Sequence, residues 1–98
     1  MSRRQPDTAA ESARLDVWLW SVRLFKTRAL AQEAIRRGHV QVNGGNAKPS
    51  RALRVGDLVW LSRQGVRDEV EVRELLSKRV SAERAAEALR RTEAGEQM

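Results

Sequence analysis

The sequence predicts an α+β chain: two helical segments, then short strands joined by turns, then a third helix. Three observations carry this. Apolar residues recur at helical spacing near the start, at Leu15, Trp18, Leu19 and Val22. From Val40 the period drops to two, with Asn-Gly, Gly-Asp and Gln-Gly turn signals between apolar stretches. After Ser81 an Ala-, Glu- and Arg-rich stretch returns to helical composition.

Residues 1–13 are polar, contain a proline and show no periodicity, so a disordered tail is expected there. Leu15, Trp18, Leu19 and Val22 mark one face of a helix of about two to three turns. Asp16 lies in its first turn, where an acid favours the positive end of the helix dipole. Lys26-Thr27 interrupts the pattern, and Thr27 is an N-cap for a second helix, Arg28–Arg37. Gly38 behind Arg36-Arg37 is a stop signal. Leu30, Ala31, Ala34 and Ile35 form the expected inner stripe of that helix. Val40 and Val42 then alternate with polar residues, and Asn43-Gly44 signals a hairpin. Ala47–Ser50 reads as a short return segment leading into a loop, and Gly56-Asp57 as a turn. Leu58–Leu61 is a strand, Gln64-Gly65 a turn, and Glu69–Leu75 a final strand around Val70 and Val72. Ser81 caps a last helix running to Thr92. Its stripe of Ala82, Ala85, Ala86 and Leu89 is thin, so weak docking is expected. The expected layout is a tail at 1–13, a domain at 14–76 and a C-terminal helical extension at 77–98.

A chain of 98 residues is one domain, burying about 60–65% of its unfolded surface. It has no cysteine, which excludes disulfides and thiolate chemistry, and one histidine, His39, which argues against a zinc site. The longest strongly apolar runs, Val17–Trp20 and Leu58–Leu61, are four residues each, whereas a bilayer-spanning helix needs about 20. Arg3-Arg4 has no apolar stretch behind it, so no export signal is read and the cytoplasm is the expected compartment. There is no P-loop, no GxGxxG, no carboxylate pair and no nucleophile elbow. Neither enzymatic activity nor a cofactor nor a metal is expected.

Charge is informative. From Arg14 to Arg54 there are nine Lys or Arg residues against two acids, Asp16 and Glu33, a net charge of +7, while the flanking segments nearly cancel. A concentration of one sign on a folded unit points to a polyanion. Arg28, Gln32 and Arg36 follow i, i+4, i+8 and align along one side of the second helix. Lys26 and Thr27 sit at its N-terminus, where backbone N–H groups favour phosphate. Arg37, His39 and Gln41 continue the donor-rich surface past its C-terminus. Arginine forks grip phosphates, and Gln or Asn adds hydrogen bonds to bases or ribose. An ordinary solvated face would mix signs more evenly.

The tryptophans invite a base-stacking interpretation. Trp18 lies on the apolar stripe and Trp60 inside Leu-Val-Trp-Leu, so both are assigned to the core. Trp20 is off the stripe, either a surface contact or a cover for the second helix. His39 suits donation to RNA better than catalysis, since it lacks a neighbouring carboxylate. Asp16 is read as a helix-start acid.

The residues Arg14-Leu15-Asp16-x-Trp18-Leu19-Trp20, Arg23-x-x-Lys26-Thr27-Arg28-x-x-Ala31, Gly38-His39-Val40-x-Val42-Asn43-Gly44, Lys48-Pro49-Ser50 and Val55-Gly56-Asp57 together resemble the S4 RNA-binding domain. The Trp-Leu-Trp and Lys-Thr-Arg details are most similar to the heat-shock protein 15 family. The resemblance covers about residues 14–62. It implies an S4-like (alpha-L) fold, with two helices packed on a small, mostly antiparallel sheet and structured RNA lying across the second helix and the following loop. The implied RNA contacts are Arg14, Lys26, Thr27, Arg28, Gln32, Arg36, Arg37, His39, Gln41 and Asn43. It further implies binding of rRNA or tRNA on the large ribosomal subunit, in recycling or quality control under stress, with some DNA binding in vitro. Two departures stand out. Val17 occupies a position where the family commonly carries Lys, removing one phosphate contact. Longer members carry a very basic C-terminal tail, whereas this sequence ends at Met98 after a balanced helix, closer to compact ribosome-quality-control relatives.

Two other classes compete with non-enzymatic RNA binding by a monomer. A winged-helix-like DNA-binding protein would place Arg28, Gln32 and Arg36 in a major groove, although the Lys26-Thr27 link is short for that. A protein-interaction module would dock an acidic partner on the same basic face.

Overall fold

The structure, a computed structural model, describes residues 12–63 and 65–92. The order is β1 (Ala13–Arg14), α1 (Leu15–Ser21), α2 (Arg28–Arg36), β2 (Val40–Val42), β3 (Gly45–Asn46), β4 (Ala52–Leu53), β5 (Leu58–Arg63), β6 (Val66–Val72), α3 (Ala82–Ala88) and β7 (Leu89–Arg91). Five strands form one sheet in the order β3-β2-β5-β6-β7, and β1 pairs with β4 separately. All these pairings are antiparallel, so the α+β class is as expected.

The core lies between the helices and one face of the sheet. Leu15, Trp18, Leu19 and Val22 from α1 and the residue after it meet Ala31 and Ile35 of α2 and the inward side chains Val40, Val42, Val59, Leu61, Val70 and Val72. Trp18 is fully buried, and its indole Nε1 donates to the Glu74 carbonyl at 2.8 Å, satisfying the one polar group a buried Trp brings.

The hairpin at Asn43-Gly44 forms as its sequence suggests. Asn43 has φ 52° and Gly44 φ 84°, the paired positive values of a type I′ turn, and Val42 sits opposite Gly45. Gly65 lies between β5 and β6, where the Gln64-Gly65 turn is expected; Gln64 lies outside the described residues.

Several expectations are corrected. Ala13, assigned to the tail, pairs with Leu53 and is buried; residues 1–11 of that tail lie outside the described residues. Leu30 is 51% exposed, because it lies about 100° around the helix from Ala31 and α2 buries only a narrow stripe. Trp60 is not core: it alternates with buried Val59 and Leu61, faces the other side of the sheet, and stacks beneath Arg67 at 5.2 Å. The strand after Gly65 begins at Val66 and ends at Val72, leaving Leu75 and Leu76 buried beyond it, Leu76 in an isolated β-bridge.

The last helix ends at Ala88 rather than Thr92. Leu89 is extended, with φ −141° and ψ 162°, and opens β7 beside β6. Arg90 pairs with Glu71 at 3.0 Å and Arg91 with Asp68 at 3.1 Å, so the acidic β6 draws the basic end of the helical stretch into the sheet. Docking of α3 is firm rather than weak: Ala85 and Ala88 are buried, and the Ala88 carbonyl accepts from both the Arg73 and Glu74 amides.

Candidate nucleic-acid interface

The surface begins at the crossing of α1 and α2. The Asp16 carboxylate is excluded from solvent there. Arg14 grips it with both Nε and Nη2, at 3.0 and 2.9 Å. Gln32 Nε2 donates from α2 at 2.8 Å, and the Val17 amide adds a fourth bond at 2.7 Å. Burial alone pushes this carboxyl up, but the bonds from Arg14 and Gln32, with the Arg14 charge and the Val17 amide, outweigh it and leave it below the ordinary carboxylate range. The helix-start position expected of Asp16 is correct, but its larger role is to join two helices and to aim Arg14 and Gln32.

Helix α2 is capped at both ends. Thr27 Oγ1 accepts from the Leu30 amide at 3.0 Å, which leaves the Arg28 and Ala29 N–H groups at the open end of the dipole, with no acid in that turn. At the other end Gly38 has φ 81°, the His39 amide donates to the Ala34 carbonyl and the Gly38 amide to that of Ile35. This is a Schellman motif. It turns the chain directly into β2 and leaves the His39 side chain exposed.

The ten expected contact residues therefore divide. Lys26, Arg28, Arg36 and His39 are exposed and have no side-chain partner among the described residues. They flank α2 or lie along it. Arg14 and Gln32 are oriented through Asp16, and Arg14 keeps half its side chain exposed. Arg37 pairs with Glu33 at 2.8 Å on the surface. Thr27 is committed to its cap, and Gln41 Nε2 donates to Asn46 Oδ1 at 3.2 Å. Asn43 belongs to the scaffold: its Oδ1 accepts from the Leu58 amide at 3.0 Å and its Nδ2 donates to Asp57 Oδ1 at 3.2 Å.

The structure adds residues that periodicity did not assign. Arg36, Arg37, Gly38, Asn46, Lys48 and Pro49 border one shallow cleft of about 420 Å³, which brings Lys48 beside the basic end of α2. The loop carrying Lys48 and Arg51 is tied to the start of α1: the Leu15 amide donates to the Arg51 carbonyl at 2.8 Å and the Asp16 amide to that of Pro49 at 3.1 Å. The sequence signal was the Lys48-Pro49-Ser50 motif itself, but only the α1–loop hydrogen bonds give it a place. Among the described residues there is no cluster of His, Cys, Asp or Glu able to hold a metal, and no helix long and apolar enough to cross a membrane.

Comparisons with known proteins bear on the family and the fold. The S4 domain model matches residues 13–59. A heat shock protein 15 homologue of Aeromonas salmonicida is 37% identical over 91% of this chain and 67% of its own length. Heat shock protein 15 of Escherichia coli K12 is 39% identical over 79% of this chain and 58% of its own length. The chain thus spans about three fifths to two thirds of those relatives. An RQC P-site tRNA stabilizing factor of Helicobacter pylori is 44% identical over 49% of this chain and 57% of its own length. Among solved structures, heat shock protein 15 of Vibrio cholerae, described as trimeric, superposes with a TM-score of 0.83 at 33% identity, over 87% of this chain and 86% of that one.

Proposed function

This chain belongs to the heat shock protein 15 family of S4-domain proteins, and on that premise we propose that it binds structured RNA through the α2 face and the loops at its two ends. The observation that carries the reading is the set Lys26, Arg28 and Arg36, cations without carboxylate partners among the described residues, on or just before a helix whose N-terminus holds no acid. Phosphate neutralisation supplies most of the affinity. His39, the oriented Arg14 and the Lys48 cleft add shape and hydrogen-bond selectivity.

The partner we infer is rRNA or tRNA on the large ribosomal subunit, in recycling or quality control. Support comes from the relatives' names, one of which specifies P-site tRNA. Such a partner places the protein in the cytoplasm. We infer that the chain binds as a monomer, and light scattering of the complex checks it.

The test is a titration of hairpin RNA and of large subunits with and without P-site tRNA, against duplex DNA at matched salt. Contact with about 4–6 phosphates gives a log–log salt slope of about −3 to −5. Arg28→Glu combined with Arg36→Glu weakens RNA binding by about 100-fold or more and flattens the slope by about 2, with the fold intact. Wild-type affinity in the folded double variant places the interface elsewhere, and preference for duplex DNA replaces the RNA reading.

A further inference from the structure

Lys26 and Thr27 sit at the end of a connection, residues 22–27, that is neither helix nor strand. A lysine on such a segment is a poor phosphate ligand unless its backbone is held, since ordering it on binding costs affinity. Here the backbone is held by arginines that donate to main-chain carbonyls.

Arg79, from the loop before α3, is central. Its Nη1 donates to the carbonyls of Trp20 at 3.0 Å, Phe25 at 3.1 Å and Lys26 at 3.3 Å. Its guanidinium lies 6.0 Å from the Trp20 ring centroid. It forms no ion pair among the described residues. The Trp20 carbonyl belongs to the last turn of α1, so the cation also meets the negative end of that dipole. Further contacts hold the same connection, from Arg63 at the end of β5 and from Val80 in the loop before α3. Arg63 donates to the Leu24 carbonyl and stacks on Phe25 at 5.9 Å. Arg23, with φ 65°, donates to the Val80 carbonyl at 2.9 Å, and the Val80 amide returns to Ser21 at 3.3 Å.

We propose that Arg79 is a positioning residue of the RNA surface: from outside the S4-matched segment, it fixes the Lys26 backbone so that the Lys26 ammonium and the α2 N-terminus face one phosphate. This rests on the RNA-binding reading above. An arginine suits the task because its Nη1 hydrogens lie in a fixed plane among the three carbonyls and its charge cannot be titrated away.

The test is a double-mutant cycle on the full chain with hairpin RNA, read alongside backbone hydrogen exchange. Arg79→Met keeps the stem over Trp20 and removes the donors. It should speed exchange across residues 22–27 while leaving the Asn43-Gly44 hairpin unchanged. RNA affinity should fall about 5-fold, the coupling of residues in one network. In a Lys26→Ala background that factor should vanish, and in an Arg36→Ala background it should persist. A loss that adds in full to Lys26→Ala overturns the proposal, since Arg79 would then touch RNA itself. Unchanged affinity in Arg79→Met beside a weakened Lys26→Ala overturns the positioning role alone. Unchanged affinity in Lys26→Ala overturns the RNA reading at this loop, and the positioning role with it. Should Arg79→Met not fold, Arg79→Lys, which keeps a cation and loses the fixed donor plane, carries the same cycle and the same criteria.

Discussion

Asp16 is a carboxylate with no solvent exposure and four hydrogen bonds, placed where α1 meets α2. Its partner Arg14 remains half exposed, so the pair is a bridge from the interior to the basic surface rather than a sealed ion pair. Replacing Asp16 by Ala should destabilise the fold by about 2–3 kcal/mol in urea melts, from lost charge-assisted bonds that water only partly replaces around Gln32 and Val17. The pH dependence has a definite sign. The folded carboxyl lies below its ordinary value, so its stabilisation is present above the unfolded pKa of about 3.9 and is lost as pH falls through the lower folded value. The stability gap between wild type and Asp16→Asn should therefore be widest near neutrality and close on acidification. A gap that stays constant with pH would show that the charge of Asp16 does not matter. The sequence placed Asp16 at a helix start; its contact with Gln32, 16 residues on, depends on how the two helices cross, which spacing within either helix does not encode.

Helix α2 was the most legible element. Thr27, Gly38 and the apolar spacing are local signals, and each acts through bonds made within a few residues. Gly38 tests this directly. A Cβ added there meets nothing within 4 Å, so any cost comes from the backbone at φ 81° alone. Gly38→Ala should cost about 1–2 kcal/mol in urea melts, with Gly38→Asn milder. Equal stability of the alanine variant and wild type would contradict the left-handed cap. The C-terminal helix was less legible for the opposite reason. Leu89–Arg91 has ordinary helical composition, but its alternative is to pair with β6, whose Glu71 and Asp68 receive Arg90 and Arg91. Propensity is a weak prior against a cross-strand partner of opposite charge. The same limit applies at Trp60: a four-residue apolar run does not reveal which of its residues faces out until β2 and β6 set the register.

At the scale of the molecule, one side chain joins the parts. Trp18 fills the space between α1 and the sheet, and its indole reaches the segment leading to α3. Trp18→Ala should cost about 3–5 kcal/mol, lowering the melting temperature by roughly 15 °C or more for a domain this small. Any loss of RNA affinity should track the unfolded fraction; weakened binding in a fully folded Trp18→Ala protein would contradict a purely interior role for this buried residue. The segment after β6 is part of the same unit: Glu74 receives Trp18, Ser21 donates to Leu76, and Arg79 secures the link that carries Lys26. By itself the sequence determined the α+β class, the caps and turns, the basic stripe along α2 and the family resemblance, because these rest on short-range spacing and on residue chemistry that needs no partner. Only the tertiary structure decided which basic groups keep open charge and which spend it inside the fold. Arg28 and Arg79 look alike in a charge count, yet Arg28 has no side-chain partner among the described residues while Arg79 holds three carbonyls from more than fifty residues earlier in the chain. That difference arises from long-range hydrogen bonding, which forms only when the chain closes on itself.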